Sequence, residues 1–245
     1  MRYVGVDLAW GTRARTGLAA LDDDGALLDL AEGRDDADVL AWLEPHVQGP
    51  CLVAFDAPLV VRNASGRRPA EAALSAVFAR YGAGCHPTSL ARPEFADGGR
   101  AHRLAAALGL GLDPDASDTD RVALEVYPHA ATVALFGLDR VLTYKHKPGR
   151  DLPLLRSELL RLCRLLEGLA DADPSLTLDG PVWHDVVAQV EGATRKSHLK
   201  AVEDRVDAVV CAYVALHAAR RPHDVRRFGT VAEGFVLTPV DDRTR

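Results

Sequence analysis

Long apolar runs are missing from this chain. None approaches the roughly eighteen consecutive apolar residues that a membrane-crossing helix needs, so no membrane partner is expected. The N-terminus passes straight into strand-like sequence, without a basic segment followed by an apolar one, and no signal peptide is expected. Cysteine is scarce. The four present, Cys51, Cys85, Cys163 and Cys211, form no C-x-x-C pair. Cys51 and Cys211 lie in apolar runs, where a free thiol behaves as a small hydrophobe. This usage fits a reduced cytoplasm better than a disulfide scaffold or a zinc site. Net positive charge is missing as well: the formal charge is −6 and the pI about 5.8. That argues against coating nucleic acid through bulk charge, while a local basic rim stays open. No internal repeat and no domain boundary is visible. With 48% hydrophobic residues the chain can bury a sizeable core, and one domain over 1–245 with an insertion at about 61–120 is expected.

Arg2 to Gly11 opens with β-branched and aromatic residues (Tyr3, Val4, Val6) and reads as a strand. Residues 16–32 read as a hairpin turned by Asp22-Asp23-Asp24-Gly25, so the triple Asp is a solvated turn rather than a metal cluster. Asp35 to Pro45 gives a short amphipathic helix with Val39, Leu40, Trp42 and Leu43 apolar. Cys51-Leu52-Val53-Ala54-Phe55 is unbroken and apolar, the pattern of a parallel strand covered on both faces, and Pro58 forbids its continuation. Residues 61–120 are polar and rich in Gly and Pro, with helical pieces at 70–81 and 99–108; this is too long for a plain connection and reads as an insertion or lid. Arg121 to Pro128 is a third apolar strand, followed by helices at 129–137 and 152–169, the second striped by Leu155, Leu159, Leu162, Leu166 and Leu169. Ser197 can cap a final helix whose Leu199, Val202, Val206, Val209, Tyr213 and Leu216 share one face, ending before Pro222. Residues 234–238 suggest a late edge strand. The order implies a mixed α/β sheet with helices on both faces.

Three strands end in acids: Asp7, Asp56 and Glu125. Ligands of such sheets collect beyond the carboxyl ends of the parallel strands, where these acids converge if their strands are neighbours. Asp204 and Asp207, three apart on the final helix, add two more on adjacent rungs; Asp207 borders the apolar stripe, while Glu203 rivals Asp204 as the second helix acid. A buried carboxylate is costly unless paired or holding a metal. Carboxylates without cysteine or histidine partners call for a hard cation, Mg²⁺ or Mn²⁺. A pair of such ions activates water and stabilises the leaving oxygen of a phosphodiester. Cations flank these acids: Arg62, Arg67 and Arg68; Lys145, Lys147 and Arg150; Arg195, Lys196 and Lys200. They suit phosphate contacts, with nucleic acid as the partner. His86 and His102 receive no role.

The motifs Val4-Gly5-Val6-Asp7-Leu8-Ala9, Phe55-Asp56-Ala57-Pro58-Leu59, Glu125-Val126-Tyr127-Pro128-His129-Ala130, Tyr144-Lys145 and Asp204-Arg205-Val206-Asp207-Ala208 span nearly the whole chain. Together they resemble the ribonuclease-H-like superfamily, and within it an uncharacterised bacterial and archaeal family of predicted nucleases. The resemblance implies a central five-stranded sheet with the Asp7 strand in the middle. It carries the resolvases' acidic set onto Asp7, Asp56, Asp204 and Asp207 as catalytic and metal-binding residues. Glu125 would be an accessory ligand or orienter, and Lys145, Arg67, Arg68 and Lys196 phosphate contacts. Two features depart from the resolvases: Asp56 stands for their Glu, and 61–120 has no counterpart. The leading expectation is a metal-dependent nuclease. Alternatives are an actin-like or sugar-kinase-like nucleotide-binding domain, faintly suggested by Asp7 to Thr12 with Thr16-Gly17, or a scaffold without catalysis. A homodimer is left open.

Overall fold

The structure, a computed structural model, describes residues 1–11, 15–116 and 120–245; Thr12 of the phosphate-loop-like stretch and residues 117–119 of the expected insertion lie outside them. Five strands, β1 (Arg2–Asp7), β2 (Thr16–Leu21), β3 (Leu27–Gly33), β4 (Cys51–Phe55) and β5 (Arg121–Glu125), form one sheet in the order β3-β2-β1-β4-β5. The pairs β1–β2 and β2–β3 are antiparallel; β1–β4 and β4–β5 are parallel. The opening strand is therefore central, and the topology is consistent with the ribonuclease-H-like fold expected from the sequence.

Local sequence explains the elements. Helix α1 (Asp36–His46) starts where the Asp35 side chain accepts from the Asp38 amide, and α5 (Leu152–Glu167) where Asp151 accepts from Leu154. The leucine stripe of α5 is buried as its spacing requires. The 61–120 stretch supplies α2 (Pro69–Phe78) and α3 (Arg100–Ala107), and α4 (Pro128–Leu135) begins on Pro128 at its first turn. Helix α6 (Pro181–Glu191) was not anticipated. The final helix, α7 (Lys196–Arg220), starts at Arg195, so Ser197 lies inside its first turn and does not cap it.

The sheet divides the core. On one face Tyr3, Ala54, Val122 and Leu124 pack with α4, α5, α6 and α7; on the other Val4, Val6, Val53 and Phe55 pack with α1 and α3. Because α7 lies between the sheet and other helices, residues 206–216 are all buried, not only the expected stripe. The late strand β7 (Gly234–Pro239) does not extend the main sheet. It pairs with β6 (Val225–Thr230) in a separate antiparallel ribbon, touching the main sheet's side through one bridge between Val126 and Leu237. No described helix is long and apolar enough to cross a membrane.

Candidate functional site

Strand pleat and two glycines assemble the acids. Side chains alternate along β1, so Asp7 shares the face of Tyr3 and Gly5, the face that α7 covers. The β1–β4 ladder runs one residue past β4, with the Asp56 amide donating to the Val6 carbonyl at 2.9 Å. Asp56 thus follows Ala54 onto the same face, level with Asp7. Helix α7 crosses this face in backbone contact. A Cβ on Gly5 would drive into the Ala208 carbonyl, and one on Gly17, the residue paired with Asp7, into the Asp204 carbonyl. That approach seats Asp204 and Asp207 over the end of β1.

Lys145 Nζ lies between the converging acids, 2.5 Å from Asp207 Oδ2 and 3.7 Å from Asp7 Oδ2. The Tyr144 hydroxyl donates to Asp207 Oδ1 at 2.6 Å. Asp207 is fully buried and Asp7 nearly so; Asp7 Oδ2 has no hydrogen-bond donor and Asp207 Oδ2 makes only the ion pair. Burial pushes the Asp7 carboxyl well above the usual range; Lys145 opposes this, while Asp207, Asp56 and Asp204 add to it. Burial pushes Asp56 up to about 7, again against Lys145 and with Asp207 and Glu125 adding. For Lys145 burial disfavours the charge, but Asp207 and Asp7 prevail and hold the ammonium well above its ordinary value.

Asp7, Asp56 and Lys145 line a cleft of about 340 Å³ whose walls include Trp10, His129, Lys147 and Arg150. Burial, with the Lys145 charge adding, pushes His129 down to about 4, and its Nδ1 is buried without a partner. A larger cavity of about 430 Å³ opens at the opposite end of the sheet, beside Met1 and Leu52. Its one lining acid, Asp115, is paired with Arg227 at 2.7 Å.

The family whose profile matches residues 5–229 is described as protein of unknown function (DUF429). The chain belongs to the DUF429 family. The matched span contains Asp7, Asp56, Glu125, Asp204 and Asp207. No curated protein and no solved structure matched it significantly.

In this DUF429 chain two expected residues fall elsewhere. Glu125 is paired in register with Phe55, one residue short of the Asp7–Asp56 row, so it takes the opposite face. There it accepts from the Leu59 amide at 3.0 Å and from both terminal nitrogens of Arg68, one of them at 2.9 Å. Arg68 is 2% exposed and also bonds Glu71 at 2.7 Å and the Val60 carbonyl at 2.9 Å. Arg68, expected as a substrate contact, is thus occupied by partners inside the protein. Arg68 and Glu125 tie down the loop after Asp56. Arg67 is exposed near the Cys85 carbonyl, and Lys196 Nζ bonds the Arg150 carbonyl. Lys200 bonds Glu203 at 2.7 Å and Asp204 at 2.6 Å, so the rival helix acids share one cation. Both are buried, and Asp204 is among the charges that raise Asp7.

The donor set suits a hard cation: all oxygens, two of them buried and short of hydrogen-bond donors. Among the described residues, however, no three such side chains stand close enough to grip an ion as they are. The Lys145 ammonium compensates the acids instead. Sequence reasoning did not foresee the clamp of Tyr144 on Asp207 or the walls formed by Trp10 and His129. The only signal was that Tyr144 adjoins Lys145.

Proposed function

We propose that this protein is a divalent-metal-dependent phosphodiesterase acting on nucleic acid in the cytoplasm. The observation that carries the reading is the convergence of Asp7 and Asp207, 200 residues apart in sequence, on one ammonium at the carboxyl end of parallel strands. Asp7 and Asp207 would hold Mg²⁺ or Mn²⁺, with Asp56 and Asp204 completing the set. When bound, the metal supplies an activated water and stabilisation of the leaving oxygen. The chain's residues do the rest. Tyr144 holds Asp207 in one rotamer through its hydrogen bond. The Arg68–Glu125 pair fixes the loop that carries Asp56. Lys145, displaced from between the acids, would meet a substrate phosphate, and Lys147 and Arg150 at the cleft wall would meet its neighbours.

The test is purified protein with Mg²⁺ or Mn²⁺ on single-stranded, branched and RNA–DNA hybrid substrates. Cleavage by wild type and its loss in Asp7→Asn and Asp207→Asn are expected. Equal residual cleavage by all three sinks the proposal.

The Lys145 ion pairs favour a second reading, a scaffold whose acids are permanently neutralised from within. The readings part in Lys145→Met. Under the first, the variant melts lower without metal and regains stability on adding Mn²⁺. Under the second, Mn²⁺ leaves its melting temperature unchanged.

A further inference from the structure

The cleft's size and its aromatic wall bear on what kind of strand could enter. Its volume, about 340 Å³, is near the small end of ligand pockets, which run from about 300 to 1,000 Å³. A cavity of that volume is nearer the size of one nucleotide than of a base-paired segment. Trp10 lines this cleft together with Asp7 and Asp56, and its ring is fixed from outside the cleft. Phe95 meets it edge-on, with centroids 5.2 Å apart and planes at 69°, and the Arg92 guanidinium stands 5.1 Å from its centroid. An aromatic ring held this way, with an arginine against it, is the apparatus with which proteins stack unpaired bases without reading sequence. Lys147 and Arg150 share the cleft and have no acidic partner among the described residues; Arg150 Nη1 donates to the Lys145 carbonyl at 2.8 Å, which holds the guanidinium at the cleft wall with its charge uncompensated for a phosphate beside the stacked base.

We infer that the cleft takes one unpaired nucleotide of a single strand at a time, its base stacked on Trp10 and its backbone laid toward Lys147 and Arg150. The inference rests on the nuclease reading for its biological sense, but binding and cleavage are measured separately.

The experiment is fluorescence anisotropy in EDTA, where no metal-dependent cleavage can consume the probe. The probes are a labelled ten-residue oligothymidylate, a duplex of equal length and thymidine monophosphate as competitor. We expect the single strand to bind at least about tenfold more tightly than the duplex. Trp10→Ala should lose about tenfold, the effect of one base stack, while Trp10→Phe stays within about threefold of wild type. Melting curves of both variants report whether they fold. Equal binding of duplex and single strand, no saturable binding, or equal affinity of Trp10→Ala and wild type overturns the inference. So does a mononucleotide that binds as tightly as the oligomer. If the strand binds as expected but is never cut with Mn²⁺, the nuclease reading fails and this one stands. If it is cut without strand preference, the reverse holds.

Discussion

Substituting alanine at Gly5 is the sharpest test of how the acids are brought together. The added Cβ would overlap the Ala208 carbonyl oxygen and the Ala212 nitrogen, and even the Ala208 carbonyl carbon would stand only 3.0 Å away. Optimal separation between such atoms is about 3.5–4 Å, so helix and sheet must part by about 1 Å or more. These are backbone atoms of a buried helix, which no rotamer change can move aside. Overpacking a core costs about 1–3 kcal/mol, occasionally more, and this contact belongs at the upper end. For a chain of this length each kcal/mol lowers the melting temperature by about 2–4 °C, so a fall of about 6–12 °C is expected. The same displacement carries Asp207 away from Asp7, so any function of the pair should fall further than stability does. Calorimetry on wild type, Gly5→Ala and Gly49→Ala checks it, since a Cβ on Gly49 meets nothing within 4 Å. The reasoning is refuted if Gly5→Ala melts within about 1 °C of the Gly49→Ala control.

Two further outcomes follow from the buried charges. Glu125→Gln leaves Arg68 buried without its full countercharge, and breaking such a pair costs about 3–5 kcal/mol, measurable by urea unfolding; a loss below about 1 kcal/mol would contradict it. His129 titrates at about 4 in the folded protein, below the unfolded value of about 6.5. Between those values the unfolded state binds more protons, so the stability contributed by the neutral ring is present above pH 6.5 and lost as pH falls toward 4. Denaturation of wild type and His129→Phe across this window should show wild type losing up to about 3 kcal/mol relative to the variant, and parallel pH curves would refute the assignment.

The sheet was legible because its signals are local. The unbroken apolar run Cys51–Phe55 reports a strand covered on both faces, and Asp-Asp-Asp-Gly reports the turn of the hairpin. The leucine stripe of α5 reports its buried side in the same way. The β6–β7 ribbon was half-missed because Val225–Thr230 carries two exposed arginines, Arg226 and Arg227, in a strand whose only buried residue is Phe228. Helix α6 was missed as well, although Trp183, Val186 and Val190 are buried along it.

The amino-acid order by itself determined that acids stand at the ends of apolar strands and on the last helix, because hydrophobic period and proline stops are properties of short segments. It could not decide which of those acids meet. That depends on strand register and on how closely two elements approach: a one-residue offset turns Glu125 to the far face, where Arg68 claims it, while Gly5 and Gly17 admit the α7 backbone and set Asp207 beside Asp7. The place of Lys145 between them is likewise a tertiary outcome, since an ammonium settles where the folded chain has buried uncompensated negative charge.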